Sequence, residues 1–294
     1  MSQKGQREKD VLYIFLHIQK CAGSTIRFHI ERSLKPGEYI FLYDGEYFDV
    51  REKQLKHFTI GKRREEMALY LSQLTNEQKR RVRVLYGHRV YYGIHRFFPG
   101  REARYLTFIR HPTVRTLSLY NYSRDHVERP TKYSAEGDST YRREELRWTC
   151  QNIKPNGDVL PFSQWFSKNQ WLSNFMTAFL IRQRFGNPGD LPETILKKFY
   201  FVGFTEREPD LLFAYHLFGV RHFYPDQNVS PRYAQERDLS KKARHILSQR
   251  TAKDQALYDT ALRANAVFRA RMHRFNLLIA TVRISRFLSP LRMN

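Results

Sequence analysis

Nine residues near the start of the chain, H-I-Q-K-C-A-G-S-T at 17–25, combine types that could hold an anion. Lys20 is a mobile cation, Gly23 lets the backbone approach a ligand, and Ser24 and Thr25 offer hydroxyl donors or a helix cap. An apolar run precedes them and a helical pattern follows. The N–H groups of the turn and the positive start of the helix would then converge, which is how α/β proteins hold phosphate-like groups. The lysine precedes the glycine and the G-x-x-x-x-G-K-S/T order is absent, so this is not a Walker A loop. Taken alone, an ordinary βα turn capped by Ser24 explains the segment equally well. A second segment, R-Y-L-T-F-I-R-H-P-T-V-R-T-L-S-L-Y at 104–120, places Arg110 at the carboxyl tip of a strand. Pro112 opens a helix behind it, and Ser118 lies about two helical turns further on. The guanidinium fork and a short hydroxyl together suit a terminal phosphate dianion.

Both segments need a scaffold that brings strand ends together. Apolar runs of strand length lie at 11–18, 39–43, 82–86, 104–109 and 200–204, with a shorter one near 221–225. Segments of helical period lie at 23–34, 64–74, 113–124, 162–184, 208–219 and 239–275. Continuous apolar strands separated by helices predict an α/β domain with a parallel sheet covered on both faces. Ligands of such sheets bind at the carboxyl ends of the strands, where both segments would sit. The whole chain, 1–294, reads as one domain. Residues 125–160, broken by Pro130, Gly137, Pro155 and Gly157, read as an insertion or acceptor-side lid, and 239–294 as a helical C-terminal extension.

Composition narrows the function. The 51 Lys+Arg against 29 Asp+Glu give 51 − 29 = +22, which favours polyanionic partners. With 41% hydrophobic and 15% aromatic residues the chain can fill a core, which excludes a disordered basic tail. Neither zinc-finger spacing nor an RNA-recognition signature is present, so no nucleic-acid partner is expected. Cys21 and Cys150 are too few for a disulfide framework, and a reduced, cytoplasmic setting follows. No window approaches the roughly 18–20 apolar residues of a membrane span. The basic, partly apolar stretch 276–294 could touch a membrane surface peripherally, although packing against the domain is its first reading. Glu8, Asp10 and Lys20 argue against an export signal over the first strand.

The two segments together, H-I-x-K-x-x-G-S-T and I-R-x-P-x-x-R-x-x-S-x-Y, resemble the sulfotransferase superfamily, in particular the carbohydrate-type branch that includes the heparan 2-O-sulfotransferases and soluble bacterial relatives. Gln19 and Cys21 stand where that branch has proline and threonine. Y-G-H-R-V-Y-Y-G-I-H at 86–95 is similar to its G-H-x-x-F/Y-G-L/I-H segment, S-N-F-M-T-A-F-L at 173–180 to its D-N-x-x-T-R-x-L, and 202–207 and 228–232 also fit. The resemblance spans roughly residues 11–232. It implies a three-layer, P-loop-NTPase-like sheet and the donor 3′-phosphoadenosine 5′-phosphosulfate (PAPS), with adenosine 3′,5′-bisphosphate as product and no metal. It assigns the turn Lys20, Cys21, Ala22, Gly23, Ser24 and Thr25 to the 5′-phosphosulfate and Arg110 and Ser118 to the 3′-phosphate. It makes His88 the general base. Tyr86 stands where some relatives carry a second histidine.

The chemistry implied is in-line sulfuryl transfer to a hydroxyl, with Lys20 stabilising the leaving phosphate. Glu46 or Asp49 could assist or replace His88. The acceptor is expected to be a carbohydrate, with an acidic glycan as first candidate. A lipid or natural-product hydroxyl is the alternative. His95, Arg124, Trp148 and Asn174 are the candidate acceptor contacts, Arg124 and Trp148 belonging to a wall that also holds Arg129, Lys132, Arg142 and Arg143. Two other classes remain open at this point: a nucleotide kinase-like enzyme and a non-catalytic polyanion-binding protein. Nothing in the sequence speaks to the oligomeric state.

Overall fold

A computed structural model describes residues 11–43, 46–52, 54–59, 62–128, 159–220 and 231–272. The first half runs β1 (Val11–Leu16), α1 (Gly23–Ser33), β2 (Tyr39–Phe41), β3 (Glu46–Asp49), β4 (Gln54–His57), α2 (Arg63–Ser72), α3 (Asn76–Arg81), β5 (Val84–Gly87) and β6 (Glu102–Ile109). The second half runs α4 (Pro112–Glu128), α5 (Phe162–Lys168), α6 (Phe175–Arg182), α7 (Pro192–Leu196), β7 (Phe201–Phe204), α8 (Glu208–Phe218), α9 (Lys241–Arg250) and α10 (Ala252–Met272).

Five strands form a parallel sheet in the order β2-β5-β1-β6-β7, flanked by helices. β1 is central, and Leu12, Ile14, Phe15 and Leu16 are wholly buried, as an apolar strand covered on both faces must be. Leu16 pairs with Gly87 on one side and Thr107 on the other, so β1, β5 and β6 end at about the same level. The chain leaves β1 toward the β2 edge and leaves β6 toward the β7 edge. The crevice between the carboxyl ends of β1 and β6 is therefore the topological switch point, where open α/β sheets take their ligands. α1 packs on α8, while α10 packs on α4, α6, α7 and β7.

Gly87 ends β5 at φ 139, and the Leu42 carbonyl occupies the space a Cβ would need. That close approach, with Leu42 N–H donating to the Tyr86 carbonyl at 2.8 Å, brings Tyr43 over the end of the central strands.

Several predicted elements differ in detail. β3 and β4 form an antiparallel hairpin that the pattern did not signal, because both are four residues long and carry charged residues. The single helix predicted over 162–184 is broken into α5, a 3₁₀ turn at Gln170–Leu172, and α6. Arg250 does this: its guanidinium donates to Ser173 Oγ and to the carbonyls of Phe166 and Asn169, taking acceptors a continuous helix would have used. The helix predicted over 239–275 likewise divides at Thr251 into α9 and α10, and Asn174 Oδ1 accepts from the Lys253 N–H at 2.8 Å in the first turn of α10. α3 and α7 were not anticipated, although Thr75 and Gln78 form a capping box that marks the start of α3. The strand predicted near 221–225, residues 129–158 of the insertion and the segment 276–294 lie outside the described residues.

Candidate functional site

The turn between β1 and α1 is held in an uncommon shape. Lys20 and Ala22 both adopt left-handed backbone conformations, at φ 64 and φ 58. Such strain persists only where the surroundings impose it. Here Arg115 Nε donates to the Gln19 carbonyl at 3.2 Å, Arg110 Nη1 reaches the Lys20 carbonyl at 3.4 Å, and the Cys21 N–H bonds the Ile18 carbonyl at 3.1 Å. α1 begins at Gly23 without a side-chain cap. Its first-turn N–H groups, which lack intrahelical partners, belong to residues that line a cavity.

That cavity, about 550 Å³ in volume, lies at the switch point. Lys20, Ala22, Gly23, Ser24 and Thr25 form its floor. Arg110 and one face of α4 (Val114, Leu117, Ser118 and Asn121, spaced 3, 1 and 3) form one side. Arg232, Ala234, Gln235 and Glu236 of the 231–236 segment form a further wall, and Thr205 and Leu211 complete the lining. Asn121 fastens that wall, its Nδ2 donating to the Ala234 carbonyl at 3.1 Å and its Oδ1 accepting from the Ala234 N–H at 2.8 Å. The Lys20 ammonium rests 4.0 Å from the centre of the Tyr122 ring.

The lining carries three cations, Lys20, Arg110 and Arg232, against one carboxylate, Glu236. A fourth cation lies beneath the turn. Arg115 is wholly buried with its guanidinium over the Phe175 ring at 3.7 Å, and burial lowers its pKa to about 10 against the pull of Cys21 and Asp254. It stays charged at neutral pH. Arg110 Nε and Thr205 Oγ1 are buried polar atoms without a hydrogen-bond partner among the described residues. Orphaned donors on a cationic cavity with an uncapped helix start fit an anionic ligand that would satisfy them. Among the described residues no group of three His, Cys, Asp or Glu side chains is placed to hold a metal ion.

The turn residues, Arg110 and Ser118 thus share one cavity, although residues 20 and 110 are 90 positions apart. Cys21 is the exception in the turn. Its side chain points into the core, fully buried, its N–H is spent on Ile18, and burial pushes the thiol up to about 12. Neither its sulfur nor its N–H is available to a ligand, which corrects its expected donor-binding role.

The histidine arrangement also differs from expectation. His17, which the sequence motifs left without a role, lines the cavity, and His88 is absent from its lining. The two rings lie 4.3 Å apart on adjacent strand ends, both buried, and the backbone N–H of His17 donates to the Gly87 carbonyl at 3.1 Å. His17 Nδ1 lies 2.9 Å from the Tyr43 hydroxyl oxygen. Burial, and after it the neighbouring His88, Arg27 and Lys20, hold the His17 pKa well below its ordinary value, so the ring is neutral at physiological pH. The signal that could have found it is its place one residue past a buried β1, next to the turn.

The described acceptor candidates His95, Arg124 and Asn174 have other partners and do not line the cavity. His95 Nδ1 bonds the Tyr105 hydroxyl at 2.8 Å, Arg124 pairs with Glu128 and lies over Tyr233, and Asn174 caps α10. Asp49 is fully buried in the β3–β4 hairpin. Burial raises its pKa, but the hydrogen bonds from Arg51 and Lys56 prevail and hold it down at about 2. Its carboxylate oxygens are engaged by Arg51 and Lys56, and it is not among the residues that line the cavity. Trp148, Arg129, Lys132, Arg142 and Arg143, and the side chain of Glu46, fall outside the described residues. Among the described residues no helix is long and apolar enough to cross a membrane. The sequence matches no protein-family model and no curated protein.

Proposed function

We propose that the chain is a PAPS-dependent sulfotransferase built on a P-loop-like sheet, moving a sulfuryl group to the hydroxyl of a carbohydrate or similar acceptor. The observation that carries this reading is the convergence of two cationic elements, Lys20 with the start of α1 and Arg110 with Ser118, on one nucleotide-sized cavity. A ligand bearing anionic groups at two separated positions uses both, and the ordered motifs at 17–25 and 109–120 resemble those of sulfotransferases. In this reading Lys20 and the first-turn N–H groups of α1 meet the 5′-phosphosulfate and stabilise the charge that grows on the bridging oxygen as the S–O bond breaks. Arg110 and Ser118 hold the 3′-phosphate, and Asn121 fixes the wall that encloses the remainder of the donor. Transfer is in line and depends on positioning. The basic surface favours an acidic acceptor.

The test has two parts. Calorimetry should find adenosine 3′,5′-bisphosphate binding more tightly than 5′-AMP, since only the former engages Arg110 and Ser118. Radiolabelled sulfate donor, offered with glycans, lipid and steroid alcohols and phenols, should label at least one acceptor class. Magnesium-dependent ATP turnover with no preference for the 3′-phosphate would overturn the reading in favour of a kinase. Absence of binding and transfer would leave a polyanion-binding protein.

A further inference from the structure

We propose that His17 is the general base of this transfer, oriented by Tyr43 and backed by His88, an assignment that rests on the sulfuryl-transfer reading above. Of the two imidazoles at the ends of β1 and β5, only His17 lines the cavity. Its ring lies directly on Gly23, where the missing side chain leaves room for the Nε2 edge, so Nε2 sits against the first turn of α1. His17 Nδ1 lies 2.9 Å from the Tyr43 hydroxyl oxygen, and the tautomer that serves as a base is the one in which Nδ1–H donates to that oxygen and Nε2 carries the lone pair. No described residue hydrogen-bonds Nε2. Phe15 stacks on the ring at 6.1 Å with a 13° interplanar angle, which further fixes its plane.

In the transfer the acceptor O–H bond breaks, its proton passes to Nε2, and the acceptor oxygen forms a bond to sulfur. The bond from sulfur to the 5′-phosphate oxygen breaks with its electron pair remaining on that oxygen, next to Lys20. The imidazolium then returns its proton to water. The titratable and charged groups facing His17 are His88 at the end of β5, Tyr43 after β2, Arg27 on α1, and Lys20 in the turn. Burial, and after it His88, Arg27 and Lys20, favours the neutral ring, so the base is unprotonated over the whole physiological range. Glu236 is the carboxylate in the lining, on the 3₁₀ turn Glu236–Asp238, and is exposed.

The experiment compares His17→Gln, His88→Gln and Tyr43→Phe with wild type in steady-state sulfate transfer across pH 5–9, with bisphosphate affinity measured alongside. His17→Gln keeps an amide near the Nε2 position but accepts no proton. It should lose about 10²–10⁴-fold in kcat while bisphosphate affinity stays near wild type. The wild-type acidic limb of kcat/KM should fall below the ordinary histidine value. His88→Gln and Tyr43→Phe should lose less than His17→Gln and move that limb. If His17→Gln transfers sulfate at near wild-type rates, or if His88→Gln loses more, His17 is not the base although the sulfotransferase reading stands. If wild type neither binds bisphosphate nor transfers sulfate, both fall. Should His17→Gln misfold, labelled-histidine NMR on wild type decides: bisphosphate must perturb the His17 ring, and an unperturbed ring overturns the assignment.

Discussion

Gly23→Ala is the sharpest test of how the turn is packed, and it needs no ligand. A Cβ on Gly23 would lie 1.7 Å from Cδ2, 1.8 Å from Nε2 and 2.2 Å from Cε1 of His17. Carbon atoms pack at about 3.5–4.0 Å, so the imidazole would have to retreat by about 2 Å. Phe15 and His88 flank the ring and Tyr43 bonds Nδ1, so retreat toward the cavity it lines would break the Tyr43 contact. Overpacking of this kind costs about 1–3 kcal/mol, and losing the Tyr43 hydrogen bond adds about 1 kcal/mol. The better helix propensity of alanine returns at most about 1 kcal/mol. The net expectation is about 1–3 kcal/mol of destabilisation, each kcal/mol lowering Tm by about 2–4 °C. The assay is a double-mutant cycle with His17→Ala, read by urea and thermal unfolding. With the imidazole gone, Gly23→Ala should cost under about 0.5 kcal/mol, giving a coupling of about 1–3 kcal/mol. An equal cost in both backgrounds would refute the claim that His17 is what requires glycine here.

Three other outcomes are expected. Lys20→Ala should lower turnover by about 10²–10³-fold with a smaller effect on donor affinity, whereas Arg110→Ala should weaken bisphosphate binding by about 10- to 100-fold; full sulfate transfer by both variants would show the site to be wrongly assigned. In a Cys150→Ser background, Cys21 should resist an aromatic disulfide reagent at pH 8 and react once the protein is unfolded, since it is buried with a thiol pKa of about 12; rapid native-state labelling would contradict its inward position. The Asp49 carboxyl sits below its ordinary value of 3.8, at about 2, so its pairing stabilises the fold above pH 4 and that contribution fades as pH falls toward 2; the stability gap between wild type and Asp49→Asn should shrink over that window, and a gap independent of pH would remove the ion-pair explanation.

The parallel α/β sheet was legible because most of its strands are short apolar runs, and β6 becomes one over its buried carboxyl half. Val11–Leu16, Val84–Gly87 and Phe201–Phe204 need no distant information to be recognised, since burial on both faces removes polar residues from the strand itself. The turn at 20–25 and the Arg110–Ser118 spacing were legible for the same reason, each being a local pattern at a strand end. The β3–β4 hairpin, the break between α5 and α6 and the break at Thr251 were not. The second of these depends on Arg250 reaching acceptors around positions 166–173, and no window along the chain contains both partners.

Histidine roles show where local reading stops. His88, His95 and His17 are alike as residue types, and each follows an apolar or aromatic run. Sheet order puts β5 beside β1, and the register of Leu16 with Gly87 brings His17 and His88 together. Which of the two meets the cavity then follows from Gly23, Tyr43 and the placement of α1, while His95 is consumed by Tyr105. The wall at 231–236 likewise depends on contacts between distant residues, Asn121 reaching across 113 positions to Ala234 and Asp125 across 108 to Tyr233. Chemical type and near-neighbour pattern reside in the chain and survive its unfolding. Shared enclosure of groups tens of residues apart does not, because it is made by strand order, register and packing that arise when the core closes.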